Sequence, residues 1–320
     1  MAVTKIANVI VPEVFMDYVR RQTMELSDFW QSGIIGAGGA DLGGNLTSGG
    51  NTINMPFWTD LNNASEELSD STGLTVNQIN AKKDMAVLHF RGSAWGSNDL
   101  AHQLAGDDPM GAIASFVAGW WSRQMQRITI STLKGAFASA SMSSNVLDIS
   151  AAAGDAANIN GKTFISATQK LGDAKAQLVA MAMHSAVQAS LAQQDLIVTE
   201  RDSSGRVLFD TFMGKRIIID DGMPNAAGVY TTYVFGAGSI GYNEGGVLNA
   251  LETDRDILEG NDFLTTRRAF VLHPSGVSWV GSAAGATPTL VELETGTNWN
   301  RVFESKAIPI VQFKHKIALV

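Results

Sequence analysis

Between Pro109 and Pro224 the chain has no proline, and the first thirty residues of that stretch place Ile113, Phe116, Val117, Trp120, Trp121, Met125, Ile128 and Phe137 on one apolar stripe. Ser122, Arg123, Gln126 and Lys134 fill the other side. Asn98 and Asp99 suit a helix start. The phrase GDDP, Gly106 to Pro109, breaks and restarts the helix, with Asp108 as cap and Pro109 at the first position, where a missing N–H is no loss. The spacing therefore predicts a helix from Asn98 to about Ser139. Its part beyond Pro109 spans roughly 45 Å at 1.5 Å per residue, which makes it a spine across a whole domain.

Around this helix the pattern is mixed. Residues 13–31 carry Val14, Phe15, Tyr18, Val19, Met24, Leu26, Phe29 and Trp30 at helical spacing. Glycines cluster next, between Ser32 and Gly50, in a segment read as a flexible or extended arm with Gly36, Gly38, Gly39, Gly43 and Gly44 as its hinge. Residues 51–61 read as a strand stopped near Pro56, and 82–95 as another. About twenty polar residues join them, too many for a tight turn, so a protruding hairpin is expected. A Ser, Ala, Gly and Asn stretch over 140–160 marks a boundary. Beyond it a short helix stops at Gly172, and a second, capped by Asp173, is expected to run to about Gln193. Strand signals follow at 206–212, 215–221, 228–236, 246–253, 267–274 and 309–320. With no regular strand–helix–strand beat, the class is α+β.

The chain has 320 residues, 45% of them hydrophobic and 17% charged, enough for two compact domains. No run of eighteen apolar residues occurs, and the first residues lack the form of a secretory signal, so no membrane span and residence in the producing cell are expected. The absence of cysteine excludes disulfides and thiolate chemistry and suits a reducing cytoplasm. A formal charge of −8 argues against broad attraction to phosphates, so any nucleic-acid contact has to be local.

Catalytic patterns are weak. GAGGAD at Gly36 has Asp41 where a dinucleotide fingerprint needs its third glycine, and GAGSIG at Gly236 follows a strand without a helix behind it. His89, His102, His184, His273 and His315 show no metal-ligand spacing, and a turn explains Asp220 and Asp221 better than a carboxylate pair does. His184 and Ser185 point about 100° apart on a helix and do not form a nucleophile and base. Neither cofactor nor catalytic residue is expected. In LETDRD, alternation puts Glu252, Asp254 and Asp256 on one strand face and Arg255 on the other. These four, with Arg267 and Arg268, are candidate contacts between copies of the chain.

GGNTINMPFW, NDLAHQLAGDDP, the KLGD…MHS segment, FMGKRIIIDDGMP, FGAGSIG, ETDRD and VLHPSG follow one another in this order. The succession resembles a group of tailed-bacteriophage major capsid proteins with the shell fold first described for coliphage Hong Kong 97. That resemblance implies an N-terminal arm (1–50), an extended hairpin loop (51–95), a peripheral domain with the spine helix (96–162 and 246–285) and an axial domain (163–245). It leaves 286–320 without a place. It also implies assembly into pentamers and hexamers of an icosahedral virion shell in the host cytoplasm, with double-stranded DNA held by confinement. A separate scaffolding protein, a portal and decoration proteins are possible partners. Deleting residues 32–50 is then expected to abolish shells while leaving folded capsomers. A bacterial nanocompartment shell of the same fold, and an oligomeric enzyme using Asp220 and Asp221 with a divalent metal, are the alternatives.

Overall fold

The computed structural model describes residues 28–37, 42, 50–61, 64–68, 70–71, 73–99 and 109–318. Its helices are α1 (Asp28–Gln31), α2 (Pro109–Ala138), α3 (Gly161–Thr168), α4 (Ser185–Gln193) and α5 (Leu290–Glu294). The first strands are β1 (Ile35–Ala37), β2 (Thr52–Trp58), β3 (Ala81–Asn98), β4 (Val146–Asp148), β5 (Leu178–Met183), β6 (Ile197–Arg201), β7 (Val207–Phe212) and β8 (Lys215–Ile219). Then come β9 (Asn225–Ala226), β10 (Val229–Gly236), β11 (Ile240–Gly245), β12 (Leu251–Asp256), β13 (Asn261–Pro274), β14 (Val277–Trp279), β15 (Trp299–Arg301) and β16 (Ile310–His315).

One sheet runs β1-β11-β13-β3-β2 with β12 also on β13, and a second runs β4-β16-β10-β5-β8-β7-β6 with β9 on β10. Strands β14 and β15 form a small ribbon. The spine helix is α2, thirty residues long and beginning at Pro109, where the restart was expected; Asn98, expected to begin the helix, instead ends β3 opposite Asn261, because pairing with β13 holds it extended. It packs on one face of both sheets. Trp121, Met125, Ile128, Leu133 and Phe137 share a core with Val87, Phe270 and Leu272 of the first sheet and with Ala180, Ala182, Tyr233 and Ile310 of the second. Two of its expected faces are reversed, because Ser122 is buried and Phe116 is 71% exposed.

The second sheet is covered on its other face as well. Phe164 of α3 and Val187 and Leu191 of α4 pack there against Met181, Met183, Val234 and Phe313. This overturns the helix expected from Asp173 to Gln193. A 3-10 helix, Gln169–Gln177, leads into β5, and only Ser185–Gln193 is helical. LVAMAM has good helix formers, but it pairs antiparallel with β10 and parallel with β8, and every one of its residues except Val179 is buried. Tertiary pairing overrides so weak a local preference.

Pro56 does not stop β2. That strand runs through to Trp58 because it lies at the sheet edge, where a missing donor is tolerated. Residues 246–250 are not strand, and β12 begins at Leu251. Segment 286–320 gains a place, since β16 lies inside the second sheet between β4 and β10. The buried Asn145 side chain, just after α2, donates to the carbonyls of Ser305, Ile308 and Ile310 and fixes the entry to β16.

The glycine arm is partly built into this core. Ile34 and Ile35 are buried, β1 pairs in parallel with β11, and Gly36 lies opposite Gly241. Gly36 is therefore a strand residue and not a hinge. A Cβ there would lie 3.2 Å from the Gly238 Cα. Deleting 32–50 would remove part of the fold itself, so the outcome expected above, folded capsomers, does not hold. Gly38, Gly39, Gly43, Gly44 and Asp108 lie outside the described residues, as does the helix expected over 13–31 except for its end, α1.

His89 of β3 is fully buried beside the Phe270 ring, and neither ring nitrogen has a hydrogen-bond partner among the described residues. Burial, then the charges of Arg91 and His273, push its pKa down to about 3. The unfolded chain takes up that proton near pH 6.5 and the folded chain does not. The stability from a neutral His89 is thus complete above pH 6.5 and lost as pH falls toward 3. At pH 5 the loss is about 2 kcal/mol. In urea titrations at pH 7.5 and 5 the H89L chain should show a drop smaller by that amount. An equal drop in both proteins would show that His89 does not control the acid limb.

Candidate assembly surfaces

The unusual surfaces of this molecule are projections. The hairpin of β2 and β3 has a small core at its base, where Ile53, Ala86 and Leu88 meet Val271. The same β3 strand continues beyond the hairpin as the partner of β13, from Leu88 opposite Val271 to Asn98 opposite Asn261. The hairpin is thereby welded to the main sheet at its root. Thr59 closes the outer end through its backbone and hydroxyl, both donating to the Asn80 carbonyl. Beyond that point the chain exposes apolar side chains. Leu68 is 86% exposed and Val76 91%, and Leu61, Leu74 and Ile79 are also open. Single exposed apolar residues are ordinary, but a row of them on an element without its own core marks a surface that another molecule covers.

A second projection is the turn between β12 and β13. Ile257 and Leu258 stand 85% and 97% exposed, and Leu248 in the preceding loop is equally open. Sequence reasoning missed these residues and chose the charges around them. The signal was present in DRDILEGND, where two adjacent apolar residues sit in an otherwise polar turn.

Most of those charges are satisfied within the chain. Arg255 bridges Asp99 and, across the strand pair, Asp262. Arg267 pairs with Glu252. Arg268 is a correction of a stronger kind: it is 2% exposed, and its Nε and Nη2 donate to the two Glu244 oxygens at 2.7 and 2.6 Å. It lies behind α2, with its guanidinium carbon 5.2 Å from the centre of the Trp121 ring, and cannot reach a neighbouring subunit. The Asp254 and Asp256 carboxylates accept from the backbone N–H of Arg255 and Leu258 and stay on the surface.

The residues considered for catalysis have structural work. His184 caps α4, its Nδ1 accepting from the Ala186 N–H at 3.1 Å, and its ring stands edge-on to Tyr230. Asp221 accepts from Ser185, whose hydrogen bonds hold its carboxyl below the usual range. Asp220 accepts from the Gly222 N–H at 2.7 Å, which is the turn read from the sequence. Gly238, at φ +63°, makes the turn between β10 and β11, and GAGSIG therefore leads into a strand. Among the described residues no three His, Asp or Glu converge as a metal would need, and no helix is long and apolar enough to cross a membrane.

A family model, major capsid protein 13-like, matches residues 48–308. The chain belongs to that family. The major capsid protein of Bacillus phage SPP1 is 48% identical over 99% of both chains. The fold is shared with the capsid of Ralstonia phage GP4, at a TM-score of 0.58 and 8% identity over 92% of each chain. The capsid of cyanophage Pam1 gives a TM-score of 0.54 and 12% identity over 88% of each chain. This is a tailed-phage major capsid protein with a Hong Kong 97-like fold, a structural protein that assembles with itself and not an enzyme.

Proposed function

We propose that the chain forms pentamers and hexamers that close into an icosahedral shell around double-stranded DNA, assembled in the host cytoplasm. The apolar residues exposed along the hairpin from Leu61 to Ile79 carry this reading, because they bury area only when a second subunit lies against them. In this reading 51–95 is the extended loop. The axial unit is the second sheet with α3 and α4, extended beyond 163–245 by β4 and β16. The peripheral unit is α2 with the first sheet, which takes in β11. A separate scaffolding protein, a portal and decoration proteins complete the assembly.

The test is expression of the chain alone and negative-stain electron microscopy, with L68D/V76D beside it. Closed particles from the parent chain, and soluble capsomers with an unchanged melting temperature from the variant, are the expected pair of results. Intact particles from L68D/V76D would show that the hairpin does not carry assembly.

A further inference from the structure

Helix α2 is charged in one sense only. Its thirty residues contain Arg123, Arg127 and Lys134 and not one carboxylate, in a chain whose acids outnumber its bases by 31 to 23. All three cations emerge on the same exposed face, at i, i+4 and i+11. They line a groove of about 510 Å³ between α2, the turn at Asp220 to Pro224, and α5.

The groove has two carboxylates in its walls, and neither pairs with Arg123 or Arg127. Glu294 takes Lys134 on one oxygen and the Ser131 hydroxyl on the other. Asp220 takes the Gly222 N–H. Arg123 and Arg127 make no hydrogen bond or ion pair with any described residue. Two neighbouring guanidiniums without counterparts, held on a rigid helix, raise each other's energy until an anion arrives.

The geometry points to the phosphate backbone of duplex DNA as that anion, and we propose this groove as a contact between shell and genome; the inference rests on the DNA-enclosing reading above. Arg123 and Arg127 lie about 6 Å apart along the axis, one helical turn. That spacing lets both meet a polymer with one charge per ~1.7 Å of its length. Guanidinium forks fit phosphate oxygens in pairs. Among the described residues that line the groove there is no aromatic ring on which an unpaired base could stack. Its floor at Ile130 is buried, so an apolar peptide finds little to cover. The contact is local and blind to sequence, as the net charge of the whole chain requires.

Anisotropy of a labelled short duplex, titrated with the unassembled full-length chain from about 50 mM salt upward, tests this. The parent chain should bind with an affinity that falls as salt rises. R123Q/R127Q should bind about tenfold more weakly at the lowest salt and lose about two from the salt slope, while R123K/R127K keeps most of the binding. Equal affinity of parent and R123Q/R127Q overturns the proposal, and so does absence of parent binding at the lowest salt. Displacement by an oligoglutamate peptide at lower concentration than by unlabelled duplex would assign the groove to an acidic protein segment and overturn it as well. Both guanidiniums are exposed and have no partner among the described residues, so particle formation by R123Q/R127Q, read by microscopy, should match the parent. Particles without the duplex effect would fail this inference alone, whereas a parent chain that never forms particles would fail the shell reading.

Discussion

Replacing Arg268 by alanine should destabilise the folded chain by about 3 kcal/mol, because it removes the guanidinium fork from a carboxylate whose side chain is only 12% exposed. Glu244 accepts both donors of the Arg268 fork and also the Tyr242 hydroxyl at 2.7 Å, and these groups lie between the first sheet and Trp121 of the spine helix. Without the guanidinium, the Glu244 charge stays in a site with almost no water. Burial and the Glu244 charge already drive the Tyr242 hydroxyl well above its ordinary pKa, so the phenol cannot take over the charge balance. The double variant R268M/E244L removes both charges and should recover most of the loss, since a buried ion pair and a well-packed apolar pair are close in energy. Urea midpoints of the parent, the single and the double variant decide it. A single variant as stable as the parent would mean that Glu244 is rehydrated from a direction the fold does not show.

Gly135→Ala should be worse than its size suggests, about 3 kcal/mol or more, and should lower soluble yield. A Cβ at that position would lie 1.7 Å from the Leu293 carbonyl oxygen and 2.7 Å from Nε1 of Trp299. Those two atoms are hydrogen-bonded to each other at 2.8 Å, and Trp299 in turn stands edge-on to Trp279. The backbone of α5 would have to move, taking that contact and the α2–α5 packing with it. Gly119 on the same helix provides the control. Its nearest neighbour to an added Cβ is the end of the Arg123 side chain at 3.5 Å, which is ordinary contact. There the same substitution should stabilise by up to about 1 kcal/mol, from helix propensity alone. Thermal midpoints of opposite sign for the two variants are the expected result.

The exposed and the buried charges of the first sheet show where sequence reading stops. Alternation along LETDRD placed Glu252, Asp254 and Asp256 together correctly in principle, but alternation says nothing about what lies across the strand. Register supplied the answer: Arg255 falls opposite Asp262. Arg268 is read from the sequence as a surface charge next to Arg267. It is buried because β13 is covered by α2 on the side that Arg268 faces, and a single strand carries no record of which face will be covered.

By itself, the sequence determined the spine helix, the protruding hairpin, the turns at Asp220 and Gly238, the mixed class and the family. Each of these is written in local chemistry: a proline-free apolar stripe, a polar stretch too long for a turn, residues that set one backbone conformation, and phrases in a fixed order. Only the tertiary structure decided that LVAMAM is a central strand, that β16 lies inside the second sheet, that Ile34 and Ile35 belong to the core, and which carboxylates Arg255, Arg267 and Arg268 meet. Those outcomes depend on partners distant in sequence. A burial or an ion pair is a property of two surfaces, and the chain in one dimension states only one of them at a time.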